Sequence, residues 1–242
     1  MAEQEVIKHT KKVYKIWSSK EHSVWQKVKD FLLEIFIIVF AISLSIWFHN
    51  KSEHAHQQED VKQFLLGLKS DLRRDIDEMQ EDKESYQNQK TIFSYITGIK
   101  LNQPLSIDTI NKYQKWLSNY AALNPNDGRF EGFKSSGKIA TIENNELQND
   151  ILDFYQEDIV ALHNNTAMYV NIKMKFFDFI FKNRKKLTDS TTNISTILTM
   201  DEAQNICIPL SFTHETISRY DTCINKAKKI IAEINKEYGL KD

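Results

Sequence analysis

Residues 31–48 read FLLEIFIIVFAISLSIWF, a run with one charge, Glu34, and two other clearly polar side chains, Ser43 and Ser45. A helix of eighteen residues rises about 27 Å, close to the thickness of a bilayer's hydrocarbon core. The flanks turn polar at once, with Lys27, Lys29 and Asp30 before the run and His49, Asn50 and Lys51 after it. A core helix of a soluble domain usually keeps a polar stripe, and this run has none. A cleaved signal peptide fits poorly. Thirty residues precede the run, it ends in Ile46-Trp47-Phe48, and no small-residue cleavage site follows. The expected layout is a basic segment at 1–30, a transmembrane helix at 31–48 acting as a signal anchor, and an exported domain at 49–242.

Lysine placement sets the expected orientation. Residues 11–30 hold six lysines and residues 49–68 hold two, Lys51 and Lys62. That excess keeps the N-terminus in the cytoplasm and sends the C-terminal domain outward, across an inner membrane into a periplasm. Residues 1–30 carry net +3 and can lie on an anionic leaflet as a basic amphipathic segment. Residues 49–242 carry 25 basic and 28 acidic side chains, net −3, which gives no electrostatic reason to expect nucleic acid.

Six glycines and three prolines in 242 residues are too few for hairpin-rich β architecture. The expected fold class is all-α, with the membrane helix continuing into an extracytoplasmic antiparallel helical bundle. Val61, Leu65, Leu68, Leu72, Ile76 and Met79 recur at spacings of three and four, and Tyr86, Phe93 and Ile96 extend the stripe. Lys69, Asp71, Arg73, Arg74, Asp75, Asp77 and Glu78 between them read as a solvated face. One helix can therefore run from the membrane to about Gly98, with a bend expected near Gly67. Its stripe is either a core face or a parallel coiled-coil seam between two copies, with Val61, Leu65, Leu68 and Leu72 as the self-association residues.

Asn102-Gln103-Pro104 breaks that helix, and Ser106 or Asp108 can cap a second one running to Tyr120. Asn124 to Gly128 reads as a turn, and a short helix stops at Gly137. Asn144 or Asn145 caps a helix expected from Glu146 to about Arg184, with Leu147, Ile151, Phe154, Ile159, Leu162, Val170, Met174 and Phe177 among its apolar set. Residues 185–211 read as a long loop with at most one short helix. A last helix spans about Thr213 to Tyr238 and stops at Gly239.

Two segments carry a resemblance. One is LEIFIIVFAISLSIWFHNKSE followed by QFLLGLKSDLRRDIDEM; the other is FEGFKSSGKIATIENNELQNDILDFYQE. They resemble a family of bacterial single-pass membrane proteins with an N-terminal anchor, an exported helical domain and no assigned activity. The matching positions are Glu34 and Ile35; Leu65, Leu68, Asp71 and Leu72; Lys134 to Gly137; and Asn144, Leu147 and Ile151. Leu33 and Phe133 depart from the family's usual glycine and leucine. The resemblance implies the architecture and no chemistry.

Few residues invite a chemical role. Glu34 is a carboxylate inside the apolar run, suited to an interfacial position, to pairing with a partner helix, or to ion coupling. His49 and Glu53 are one helical turn apart and could share a metal, but His54 and His56 point elsewhere. Lys134-Ser135-Ser136-Gly137 lacks P-loop spacing and reads as a helix-ending turn. Cys207 and Cys223 both fall in the exported part, where a disulfide is allowed. No catalytic set, cofactor or metal is expected. The expectation is a membrane-bound scaffold, assembly or sensing module that meets a protein partner or further copies of itself. The rival is an ion-coupled subunit using Glu34.

Overall fold

The computed structural model describes residues 24–99, 105–188 and 192–240, with Ile7, Lys11, Tyr14 and Lys15. Most of the basic segment expected at 1–30, and the Asn102-Gln103-Pro104 break, lie outside the described residues. All regular structure among those described is helical. Two compact units divide at Asp60/Val61.

The first helix, α1, spans Val24–Thr97 without interruption, as the proline-free sequence predicts. Gly67 does not break it. A methyl group at Gly67 would collide with the Arg129 guanidinium, so the missing side chain lets Arg129 lie against the helix.

In the first unit, the residues of the 31–48 run are exposed all round the helix, from Phe31 to Phe48. Two departures occur: Glu34 is buried and Ile38 is half-buried.

In the second unit, Val61, Leu65, Leu68, Leu72, Met79, Tyr86, Phe93 and Ile96 of α1 enter one hydrophobic core. The core reading of the stripe therefore holds. Val61, Leu65, Leu68 and Leu72 are at most 2% exposed within a single chain, buried against its own helices. The solvated-face reading of the residues between them holds for Arg73, Arg74 and Asp77, which are exposed, and is corrected for three others: Asp75 is fully buried, and Lys69 and Asp71 nearly so.

Helices α2 (Ile107–Lys112) and α3 (Gln114–Leu117) follow, split at Tyr113. Ser106 caps α2 by accepting a hydrogen bond from the Thr109 amide. Helix α4 is Gly128–Ser135; Gly137 then takes φ +75°, which favours glycine, and a 3₁₀ turn covers Lys138–Thr141. Asn144 caps α5 (Asn145–Asp153) through the Leu147 amide. A π segment, Phe154–Asp158, joins α5 to α6 (Ile159–Asn183).

Residues 185–211 differ from expectation. They hold α7 (Ile194–Ile197) and an eleven-residue helix, α8 (Asp201–Ser211). Asp201 and Glu202 favour the start of α8 electrostatically. Pro209 sits inside α8, near its end. Ala203, Cys207 and Leu210 form its buried face, and Gln204 donates to the carbonyls of Ile96 and Leu198. Helix α9 (His214–Tyr238) ends at Gly239 with φ +61°.

Residue pairs give the relative sense of the packed helices. Lys69 meets Asn235 and Lys83 meets Asp221, so α9 descends as α1 ascends. Tyr86 meets Tyr169 and Phe93 meets Phe176, so α6 ascends with α1.

Candidate functional site

The residues singled out in the sequence are scattered. Glu34 is the one buried residue of the 31–48 run. His49 Nε2 lies 3.9 Å from Glu53 Oε2, both exposed, with no third ligand placed to complete a metal set among the described residues. Ser135 and Ser136 direct their hydroxyls back to the carbonyls of Gly132 and Phe133, which makes the Lys-Ser-Ser-Gly segment a helix-ending turn. Cys207 on α8 and Cys223 on α9 are both buried and free, so the allowed disulfide is not formed. Burial pushes each thiol up to about 12, leaving almost no thiolate at neutral pH.

The most unusual centre is one the sequence reading missed. Lys173 of α6 is completely buried. Its Nζ donates to Gln89 Oε1 at 3.0 Å and to the Trp116 carbonyl at 2.7 Å. It also lies 4.4 Å from the Phe93 ring centroid and 5.7 Å from those of Phe176 and Phe177. Ring faces and two carbonyl oxygens thus replace a counter-ion. Burial lowers its pKa to about 7, and the neighbouring Cys207 opposes that only in part.

Polar groups continue along α1 from this point. Tyr169 donates to Gln89 Oε1 and to the Leu210 carbonyl, both at 3.2 Å. Tyr86 donates to the Ala121 carbonyl and Tyr220 to Asp82. Burial raises Asp82 above the ordinary carboxylate range, despite the Tyr220 hydrogen bond.

Lys173 could have been found. Ile159, Leu162, Thr166, Tyr169, Lys173 and Phe176 alternate spacings of three and four without a gap, and all are buried. Treating Thr166 and Lys173 as outward-facing shifts the stripe onto Val170, Met174 and Phe177, one position along. Met174 is in fact exposed.

A charged cluster lies between α5 and α9. Lys226 donates to Asp150 at 2.6 Å, and Lys229 reaches Asp150, Glu146 and Glu233 at 2.6, 3.2 and 3.4 Å. Burial alone would raise Asp150, but its hydrogen bonds from both lysines, with their charge, hold it below the usual value. Glu146, Asp150 and Glu233 have their oxygens close enough to hold a cation. The Lys229 ammonium already supplies positive charge to all three, so the cluster reads as a structural clasp joining α5 and α9.

The two segments quoted from the sequence fall within residues 32–195, which match a family of unknown function, DUF6090. The match covers more than half of the chain, which belongs to that family. No curated protein and no solved structure matches it.

Proposed function

With membership of that family as premise, we propose that this is a single-pass protein of the bacterial inner membrane. Its N-terminus is cytoplasmic and its C-terminal helical domain periplasmic. The domain acts as a scaffold, assembly or sensing module that binds a protein partner. The supporting observation is the uncovered apolar surface of α1. The eighteen residues from Phe31 to Phe48 carry one charge, and Glu34 alone among them is buried. Full burial of each large apolar side chain is worth about 1.5–3 kcal/mol, so leaving the thirteen exposed between Phe31 and Phe48 in water is untenable. A bilayer covers such a cylinder on all sides at once.

A non-catalytic role agrees with the chemistry of the second unit. Both thiols are held protonated, Lys173 is sealed from solvent, and the Ser135 and Ser136 hydroxyls are spent on local carbonyls. Contacts between copies would run through the span, because the Val61–Leu72 stripe is already covered.

The chain should remain in the membrane pellet after alkaline carbonate washing, and deleting residues 31–48 should release it. A periplasm-dependent reporter fused after Asp242 should be active, and a cytoplasm-dependent one silent. Release of the full chain by carbonate, or the opposite reporter pattern, refutes the reading.

The second reading, ion coupling or partner pairing through Glu34, is favoured by one observation: Glu34 alone in its run is buried. Complementation with Glu34→Leu separates the readings. Full function excludes both roles for the carboxylate. Loss rescued by Glu34→Gln supports pairing, and loss rescued only by Glu34→Asp supports proton transfer.

A further inference from the structure

A cavity of about 500 Å³ opens between α2, α3, the end of α6 and α7, a size typical of small-molecule sites. Ile107, Leu117, Phe177, Ile180 and Phe181 supply much of its wall. Phe181 is 74% exposed and Ile107 61%, unusual for large apolar side chains unless something covers them. Arg184, at the end of α6, also lines the cavity. Its guanidinium makes no ion pair or side-chain hydrogen bond among the described residues. Among the described residues, no aspartate or glutamate lines the cavity. Phe177, one of its walls, is also one of the rings packed around the Lys173 ammonium. Among the described residues, the cavity therefore pairs an apolar part of its wall with a guanidinium that no acidic side chain neutralises.

We propose that this cavity binds a single-chain amphipathic carboxylate, a fatty-acid-like molecule. Its chain fills the apolar part and its headgroup meets Arg184. A guanidinium presents a planar fork of donors that matches a carboxylate, and here no described side chain engages that fork. One cation and this volume suit one chain with one anionic head, rather than a two-chain phospholipid. The site lies wholly in the second unit and stands whether or not residues 31–48 span a membrane.

Photolabelling of the full chain in zwitterionic nanodiscs tests the proposal. The probes are palmitate carrying a diazirine in its chain, the matching alcohol, and a diazirine phosphatidylglycerol. Labelled peptides are mapped by mass spectrometry. The acid should label residues 176–184, and unlabelled palmitate should compete. Arg184→Glu should cut that labelling roughly tenfold, the loss expected for one charge-assisted hydrogen-bonded pair, while labelling by the alcohol stays unchanged. Ile180→Trp, which fills the cavity, should abolish labelling by both, with the helical circular dichroism preserved. If Ile180→Trp disturbs the fold, the Arg184→Glu comparison decides alone, because that side chain is exposed and pairs with no described polar side chain. Label confined to residues 31–48 would overturn the proposal, since it reports partitioning into the bilayer. Equal, Arg184-insensitive labelling by acid and alcohol would overturn it too. So would preferential labelling of the cavity by phosphatidylglycerol.

Discussion

Replacing Lys173 with methionine should stabilise the protein at neutral pH and lose that advantage in alkali. Methionine keeps the length and apolar body of the side chain and removes the ammonium. Burial lowers the lysine pKa from 10.5 to about 7. Between these values the unfolded chain holds a proton that the folded chain has released, so the unfolded state binds more protons and stability rises with pH. Below about pH 7 both states are protonated and the cost is constant. At 1.36 kcal/mol per pKa unit, the burden is roughly 4 kcal/mol at pH 7 and roughly 1 kcal/mol at pH 10. Against this, Lys173→Met leaves the Trp116 carbonyl without the lysine, while Gln89 Oε1 keeps Tyr169. Those losses amount to about 1–2 kcal/mol. The variant should therefore be more stable by about 2–3 kcal/mol at pH 7 and no more stable near pH 10. A chain of residues 49–242 has Trp116 as its only tryptophan, beside the site, so urea unfolding followed by its fluorescence reads the effect. Destabilisation at pH 7, or a difference that does not vary with pH, would refute the reasoning.

Leu72→Ala should cost about 2–5 kcal/mol, as expected for a fully buried leucine, without altering the oligomeric state by analytical ultracentrifugation. Loss of self-association with unchanged stability would restore the seam. Cys207 and Cys223 should resist a thiol-specific chromogenic reagent until urea is added, and rapid reaction of the folded chain would contradict their burial. Asp150→Asn should lower stability by about 1–3 kcal/mol at neutral pH. The folded Asp150 pKa is depressed, so its contribution is complete above the unfolded value near 3.8 and fades as pH falls through the folded one. Chemical unfolding at pH 7 and pH 3 should thus show a smaller gap between variant and parent in acid; a constant gap would exclude the lysine clasp as its cause.

The helices were legible where local chemistry marks them. Ser106, Asn144, Gly137 and Gly239 cap or stop helices where the sequence predicts. The first helix follows from a three/four spacing over Val61–Met79, extended by sevens to Tyr86 and Phe93, with no proline. Helix α8 was missed because Pro209 and the Ser/Thr/Asn-rich approach argue for a loop. The proline is tolerated near the end of the helix, and the buried faces of Ala203, Cys207 and Leu210 outweigh the weak local signal. The π segment between α5 and α6 leaves no composition signal at all; a continuous helix was the economical reading of residues 146–184.

The interior polar groups were illegible for a different reason. Lysine and aspartate are almost never fully buried without partners, and their partners here lie far away in sequence. Asp75 accepts from both the backbone and side chain of Asn126, Asp71 from Arg129, Lys69 donates to Asn235, and Lys173 donates to Gln89 and Trp116. None of these pairs falls within one helix, so no periodicity can mark them. They also do what apolar contacts cannot. A leucine stripe tolerates sliding by a turn, whereas each polar pair is satisfied in one register and leaves a buried unpaired group in any other, at about 1–3 kcal/mol. The Lys69–Asn235, Tyr220–Asp82 and Lys173–Gln89 pairs fix α1 against α9 and α6 at successive levels. Lys173 bears the largest cost of the three because it is completely buried and no described carboxylate answers its charge. If register is what it secures, Lys173→Met should gain stability yet lose definition of the α1–α6 packing. Native-state hydrogen exchange would then show faster opening around Gln89 and Trp116 in the more stable protein. Slower exchange at those positions would show that the leucine and phenylalanine contacts set the register unaided.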